Sequence, residues 1–238
     1  QLYIMWKRHF TFLPKILLRP FCLLVRKFSF LKDHIAGVTI SGDYDKNNLL
    51  DKYNSQIYFT EYEISEGNKQ LNKLGIPSNQ KYICLIVRDE SYLKANNPKL
   101  ELKHSHRNFD IEDFKLVSEY LVKQGYYVIR MGSVVKSKIS FSSDRIIDYA
   151  NSNNQNDFMD IFLAANCNFC ISTVTGLDAI PIIFRKPVFF VGSIPIAYML
   201  TGSRKFINST MVHYSTILKR NLTELMLVVV THERMNYQ

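Results

Sequence analysis

From residue 60 onward the apolar positions of the chain follow two alternating periods. Glu61 to Leu74 repeats them at helical spacing, with Ile64, Leu71 and Leu74 on one face and Gly75 and Pro77 closing the segment. Lys81–Val87 (KYICLIV) is a short apolar run with polar flanks, the pattern of a parallel strand buried on both faces. A polar stretch, Arg88 to Asn108, reads as a long loop. Asp110 reads as the N-cap of a helix over Ile111–Gln124, with Phe114, Leu116, Val117, Tyr120 and Leu121 as its apolar positions and Gly125 as its stop. Tyr126–Met131 predicts a second strand and Arg145–Tyr149 a short third one. A helix over Asp157–Ala165, a strand over Cys167–Ser172, a helix over Leu177–Phe184 and a fifth strand over Val188–Val191 follow. Strands and helices alternating at this spacing predict an α/β fold with a doubly wound, mostly parallel sheet.

Composition narrows the class. The chain has 238 residues, 47% apolar and 13% aromatic, enough apolar surface for a packed core rather than a disordered tail or a disulfide scaffold. Three of the four cysteines (Cys84, Cys167 and Cys170, but not Cys22) fall in the strand and helix runs just described, where a thiol packs as a small hydrophobe, and a reducing cytoplasm fits them. The net charge of +9 is uneven. Residues 1–40 carry Lys7, Arg8, Lys15, Arg19, Arg26, Lys27 and Lys32 against Asp33 alone. No apolar run between those cations approaches the roughly 20 residues of a membrane span. Two readings stand: a basic amphipathic segment resting on an anionic membrane surface at the inner face, or a basic, half-buried helix pair. No stacking motif accompanies the cations, so nucleic acid is not expected as a partner. The start at Gln1 and the stop at Gln238 behind the apolar run Leu222–Val230 read as those of a piece of a longer protein.

In a parallel α/β sheet, ligands bind at the carboxyl ends of the strands. The residues just beyond those ends are Arg88 and Asp89, Arg130 with Gly132, Asp148 and Tyr149, and Ser172, Thr173, Thr175 and Gly176. The stretch Ser172-Thr-Val-Thr-Gly176 stands between a strand and a helix, where hydroxyls and backbone N–H groups converge on an anion or simply cap the helix. An arginine at the same edge, Arg88, can grip a diphosphate bidentately.

The ordered blocks YICLIVRDESYL, HSHRNFDIEDF, YLVKQGYYVIRMG, IIDYANS, DFMDIFLAANCNFCIS and TVTGLDAIPIIFRKPVFFV, over about residues 58–225, resemble a family of bacterial glycosyltransferases encoded near surface-polysaccharide genes. That family is distantly similar to fucosyl- and heptosyltransferases of the GT-B type. The resemblance implies a Rossmann-like, nucleotide-sugar-binding domain over residues 58–238, incomplete at its C-terminus and equivalent to the C-terminal half of a GT-B enzyme. Residues 1–57 would be the basic remnant of an N-terminal domain. It also implies a nucleotide-sugar donor, a glycan or lipid-linked acceptor, metal-independent transfer and no cofactor. Arg88, Thr173, Thr175, Gly176 and, second, Arg130 would face the diphosphate, whereas Asp148, Tyr149 and Ser172 would face the sugar or nucleoside. His104, His106 and Asp89 are the candidate bases, histidine because it titrates near neutrality. The family's TSG or SSG before the last helix is replaced by Thr173-Val174-Thr175-Gly176, which keeps the hydroxyl beside the glycine but puts valine at the small position.

Two patterns carry blander readings. Asp43-Tyr44-Asp45 matches a metal-binding DxD but sits in a polar turn, and Cys167-x-x-Cys170 has zinc spacing without a second ligand pair. Two rivals remain to the transferase: a nucleotide-sugar epimerase of the same fold, and a non-catalytic sugar-nucleotide-binding or scaffold module.

Overall fold

Tyr82–Ile86 (β1) consists of five residues that are all buried: one neighbouring strand pairs with all five, a second with Cys84–Ile86, and helices cover both faces. The computed structural model describes residues 24, 28, 45, 48–99, 105–141, 143–193, 199–209, 214, 215, 220 and 221. The chain divides into two compact units, Gln1–Ile40 and Ser41–Gln238, and all that follows concerns the second. Within that unit Asp51 accepts from Ser203 Oγ and the Arg204 N–H, and the Tyr53 carbonyl accepts from Arg185.

Beside β1 run β2 (Tyr127–Met131), β3 (Ile146–Ile147), β4 (Cys170–Ser172), β5 (Val188–Val191) and β6 (Phe206–Ser209). Their order in the sheet is β3-β2-β1-β4-β5-β6, and every adjacent pair is parallel. This is the doubly wound, Rossmann-type order. The strands read from the sequence thus lie in one parallel sheet, although the fourth is shorter than expected. Cys167 belongs to the end of the preceding helix, its N–H donating to the Leu163 carbonyl. A separate two-residue pair, β7 (Tyr214–Ser215) with β8 (Arg220–Asn221), is antiparallel.

Among the helices of the described residues are α1 (Leu49–Lys52), α2 (Glu61–Lys73), α3 (Ser91–Asn96), α4 (Lys115–Lys123), α5 (Asp157–Asn166) and α6 (Ala179–Ile183). One sheet face packs Cys84, Ile86, Ile129, Met131, Cys170 and Phe190 against Leu71 of α2 and Met159, Phe162 and Leu163 of α5. The other packs Ile83, Leu85, Val128 and Ile146 against Ile111, Phe114 and Leu121. Toward β5 and β6 that second face carries an apolar groove of about 770 Å³, with Phe169, Phe189 and Ile207 in its wall.

Several boundaries differ from the sequence reading for local reasons. The segment 111–124 begins as a 3-10 turn, Ile111–Phe114, with Asp110 capping it as expected, and only then becomes α4. Leu116 and Tyr120, counted among the apolar positions, are exposed, as is Ile64 of α2. The long loop after β1 contains α3 and a 3-10 turn over Ser105–Arg107. α5 is capped by Asn156, which accepts from the Met159 N–H. No helix among the described residues is long and apolar enough to cross a membrane.

Candidate functional site

The strand order reverses between β1 and β4, so the chain leaves these two adjacent strands toward opposite sides of the sheet. Such a reversal leaves a crevice at the carboxyl ends. Two hydrogen bonds seal its floor. The Arg88 N–H donates to Thr173 Oγ1 at 2.8 Å, and the Thr173 N–H donates to the Ile86 carbonyl at 3.1 Å. Arg88 and the Thr173–Gly176 turn therefore stand on the same edge, as the diphosphate reading requires. The Arg88 Nε donates to Asn108 Oδ1 at 3.3 Å.

The turn is built on a buried carboxylate. Asp178, 3% exposed, accepts from Ser172 Oγ, from the Thr175 N–H at 2.6 Å and from Thr175 Oγ1 at 3.2 Å. Thr175 caps the short 3-10 turn Gly176–Asp178 that leads into α6. Burial pushes the Asp178 carboxyl up to about 6, against the opposing pull of the Ser172 and Thr175 donors and of Arg107. Arg107, half-buried in the turn after α3, donates from its guanidinium to the Val174 carbonyl at 2.8 Å. Burial lowers the pKa of that guanidinium and Asp178 holds it up. Val174 has φ 62, a left-handed conformation that costs a β-branched residue about 1–3 kcal/mol and persists only where its surroundings impose it. Gly176 has no positive φ, and a Cβ there would meet nothing within 4 Å, so open space lies over it.

The helix N-terminus offered by the sequence to an external anion is thus satisfied in large part by the chain's own carboxylate. The positive charge at this edge comes from Arg88 and Arg107. Sequence reasoning quoted Arg107 inside HSHRN without giving it a role, and it passed over Asp178. The one local signal for Asp178 was its place three residues after Thr175, the capping-box spacing.

The remaining candidates form a second group. Arg130, 2% exposed on β2, is separated from the turn by β1. It pairs with Asp89 at 3.9 Å and Asp148 at 3.5 Å and donates to the Ser137 carbonyl. Asp89 Oδ1 accepts from the Ser91 N–H and Oδ2 from the Lys136 N–H, both at 2.8 Å. Asp148 Oδ2 accepts from Asn151 Nδ2 at 2.8 Å and from the Ile139 N–H at 3.2 Å. This ion triad clamps the carboxyl ends of β1, β2 and β3. Tyr149 is fully buried, its hydroxyl donating to the Asn156 carbonyl at 3.3 Å, and burial drives its pKa up. Ser172 is equally buried and spent on Asp178. His106 lies in the Ser105–Arg107 turn, with its side chain outside the described residues, as is all of His104.

Among the described residues no group of three or more His, Cys, Asp or Glu side chains stands close enough to hold a metal ion. Asp45 of the DxD caps its own turn, accepting from the Leu50 N–H at 2.6 Å, and Asp43 lies outside the described residues. Cys84, Cys167 and Cys170 are free and buried, and burial raises the thiol pKa of Cys84 and Cys170.

No family model matches the chain, and no curated protein matches it. Among solved structures it is similar to the E. coli ADP-heptose LPS heptosyltransferase II, at 14% identity and TM-score 0.46, over 76% of this chain and 50% of that one. It is also similar to a glycosyl transferase family 9 protein from Veillonella parvula DSM 2008, at 15% identity and TM-score 0.44, over 68% and 44% of the two chains. A third is the KpsC β-Kdo 2,4 transferase of Thermosulfurimonas dismutans, at 11% identity and TM-score 0.36, over 79% and 61%. The chain spans about half the length of the first two.

Proposed function

We propose that the chain is the donor-binding part of a glycosyltransferase that moves a sugar from a nucleotide-sugar to a glycan or lipid-linked acceptor in surface-polysaccharide or glycoconjugate assembly. The observation that carries this reading is the meeting of Arg88, Arg107 and the Thr173 turn at the reversal point of an all-parallel sheet. In such sheets that crevice is the ligand site. Two guanidinium groups there suit a diphosphate better than a neutral ligand.

In the transfer, the acceptor oxygen bonds to the anomeric carbon while the bond from that carbon to the phosphate oxygen breaks. The hydroxyl proton leaves to a base, and negative charge collects on the departing diphosphate. Fixed cations placed where that charge develops stabilise the transition state more than the ground state. Arg88 and Arg107 take this role in the proposal. His106, in the same turn as Arg107, is the proposed base; Asp89, with both oxygens engaged, holds the loop after β1 in place.

Titration with ADP, GDP, UDP and their sugar conjugates tests the reading. Arg88→Ala should weaken nucleoside-diphosphate binding by about 2 kcal/mol, the usual worth of a charged hydrogen bond. Arg88→Lys should restore part of it, because a point charge cannot match a planar fork. Unchanged affinity in Arg88→Ala would overturn the site. Because the charge is met by arginines in this scheme, a chelator should leave nucleotide affinity and sugar transfer unchanged. A strict requirement for manganese or magnesium would refute metal-independent transfer.

A further inference from the structure

The turn at the proposed diphosphate edge spends its donors on a carboxylate of its own. Asp178 Oδ2 accepts from the Thr175 N–H, and Oδ1 accepts from two hydroxyls, Ser172 Oγ and Thr175 Oγ1. The hydrogen of an amide is fixed, whereas a hydroxyl can turn from donor to acceptor. A proton added to Asp178 therefore belongs on Oδ1, where a hydroxyl oxygen can receive it.

The two hydroxyls differ in what else they can reach. Ser172 is fully buried, and its oxygen already accepts from the Val174 N–H at 3.2 Å. Thr175 is half-buried and stands next to Gly176, over which lies open space. The Thr175 oxygen accepts from the Leu177 N–H at 3.3 Å and keeps a second lone pair for the Asp178 proton. Once it accepts that proton, its own hydrogen leaves Asp178 and turns to the open side. Protonation also removes the negative charge that faces the Arg107 guanidinium.

Among the described residues, the titratable groups that face this carboxyl from neighbouring elements are Arg107 and the Cys170 thiol of β4. An arginine stays charged at neutral pH, and burial holds the thiol neutral, so neither titrates in place of Asp178. Burial sets the Asp178 carboxyl at about 6, close enough to neutrality for a bound anion to draw a proton onto it.

We propose that Asp178 is a positioning residue operated by a proton. Ionised, it keeps the Thr175 hydroxyl and the charge of Arg107 to itself. Protonated, it releases both to a diphosphate in the crevice, so that binding takes up one proton from solvent. The inference rests on the diphosphate reading of this edge.

The test is calorimetric titration of the intact chain with UDP-glucose, GDP-mannose and ADP-glucose from about pH 5 to about pH 8, the window in which histidine also titrates. Both phosphates of these conjugates are esterified and keep their charge throughout. Wild-type affinity should fall roughly tenfold across the window, within the range usual for two coupled sites. Near neutrality the heat should depend on the buffer in the sense of proton uptake. Asp178→Asn should bind with a flat profile, near the affinity of the wild-type chain in acid. If that variant has a lowered Tm, Thr175→Val carries the test: it should weaken binding in acid and reduce the slope, and Thr175→Ser should restore both. His106, in the same turn as Arg107, is the competing source of such a slope. A slope that survives Asp178→Asn and disappears in His106→Gln overturns the proposal. Binding that is independent of pH in the wild-type chain removes it and leaves the diphosphate reading, whereas no binding of any conjugate removes both.

Discussion

Asp178 shows how one side chain ties local geometry to solution behaviour. Its folded carboxyl titrates at about 6 against 3.8 when unfolded, because burial penalises the charged form more than its donors repay. Between those two values the folded chain binds more protons than the unfolded one. Stability from this group is therefore fully present below about pH 4 and declines as pH rises to about 6, then stays level. At ~1.4 kcal/mol per tenfold in acidity, the interval amounts to roughly 3 kcal/mol. Asp178→Asn should remove the slope, so the stability of the wild-type chain relative to the variant should fall between pH 4 and 6 in denaturant titrations. Parallel curves over that interval would contradict the assignment. The electrostatic pull of Arg107 on Asp178 was out of reach of sequence reading, since no local period joins two residues from different loops. The cap made by Thr175 was legible because its partners lie within three residues.

At the scale of elements, α2 is fixed at its start by a capping box between Thr60 and Glu63 and on its flank by Gly67. A Cβ on Gly67 would run into the ring of Phe162 in α5. That ring is 3% exposed and lies against Phe59 and Phe158, so it cannot swing aside cheaply. Alanine gains up to about 1 kcal/mol of helix propensity over glycine. Overpacking a closed core costs about 1–3 kcal/mol, and we expect it to prevail. Gly67→Ala should lower Tm, and an unchanged or higher Tm would show that the two helices are free to part. The apolar runs of β1 and β2 announced themselves because strands buried on both faces leave no polar alternation. β6 went unread for the opposite reason. Phe206-Ile-Asn-Ser is short and half polar, and Ile207 is 58% exposed at the rim of the apolar groove. The split of 111–124 into a 3-10 turn and a helix was invisible because both keep apolar residues at three- and four-residue spacing.

For the whole molecule, the strand order ranks the protection of the backbone. β1 is paired on both sides and covered on both faces, whereas β3 is two residues long at one edge. Hydrogen exchange should thus be slowest at Cys84–Ile86 and fastest, within the sheet, at β3 and β6. Comparable rates across the six strands would mean that the sheet opens only as one unit. The sequence carried the alternation of strands and helices but not the position of each strand, since order in a sheet is decided by packing between distant segments.

The central place of β1 also bears on how the chain is made. β1, β2 and β3 lie together in sequence and can pair once residue 147 exists, but the other edge of β1 must wait for Cys170–Ser172. During synthesis the Cys84 N–H and the Ile86 carbonyl, which later pair with Phe169 and Thr173, therefore stand unpaired on a strand buried along its whole length in the folded domain. Such an edge is a template for a strand of any neighbouring nascent chain. The residue that later closes it, Ser172, is also the first of the turn beside Arg88. The domain thus passes its greatest risk of misassembly just before the segment that completes its crevice arrives.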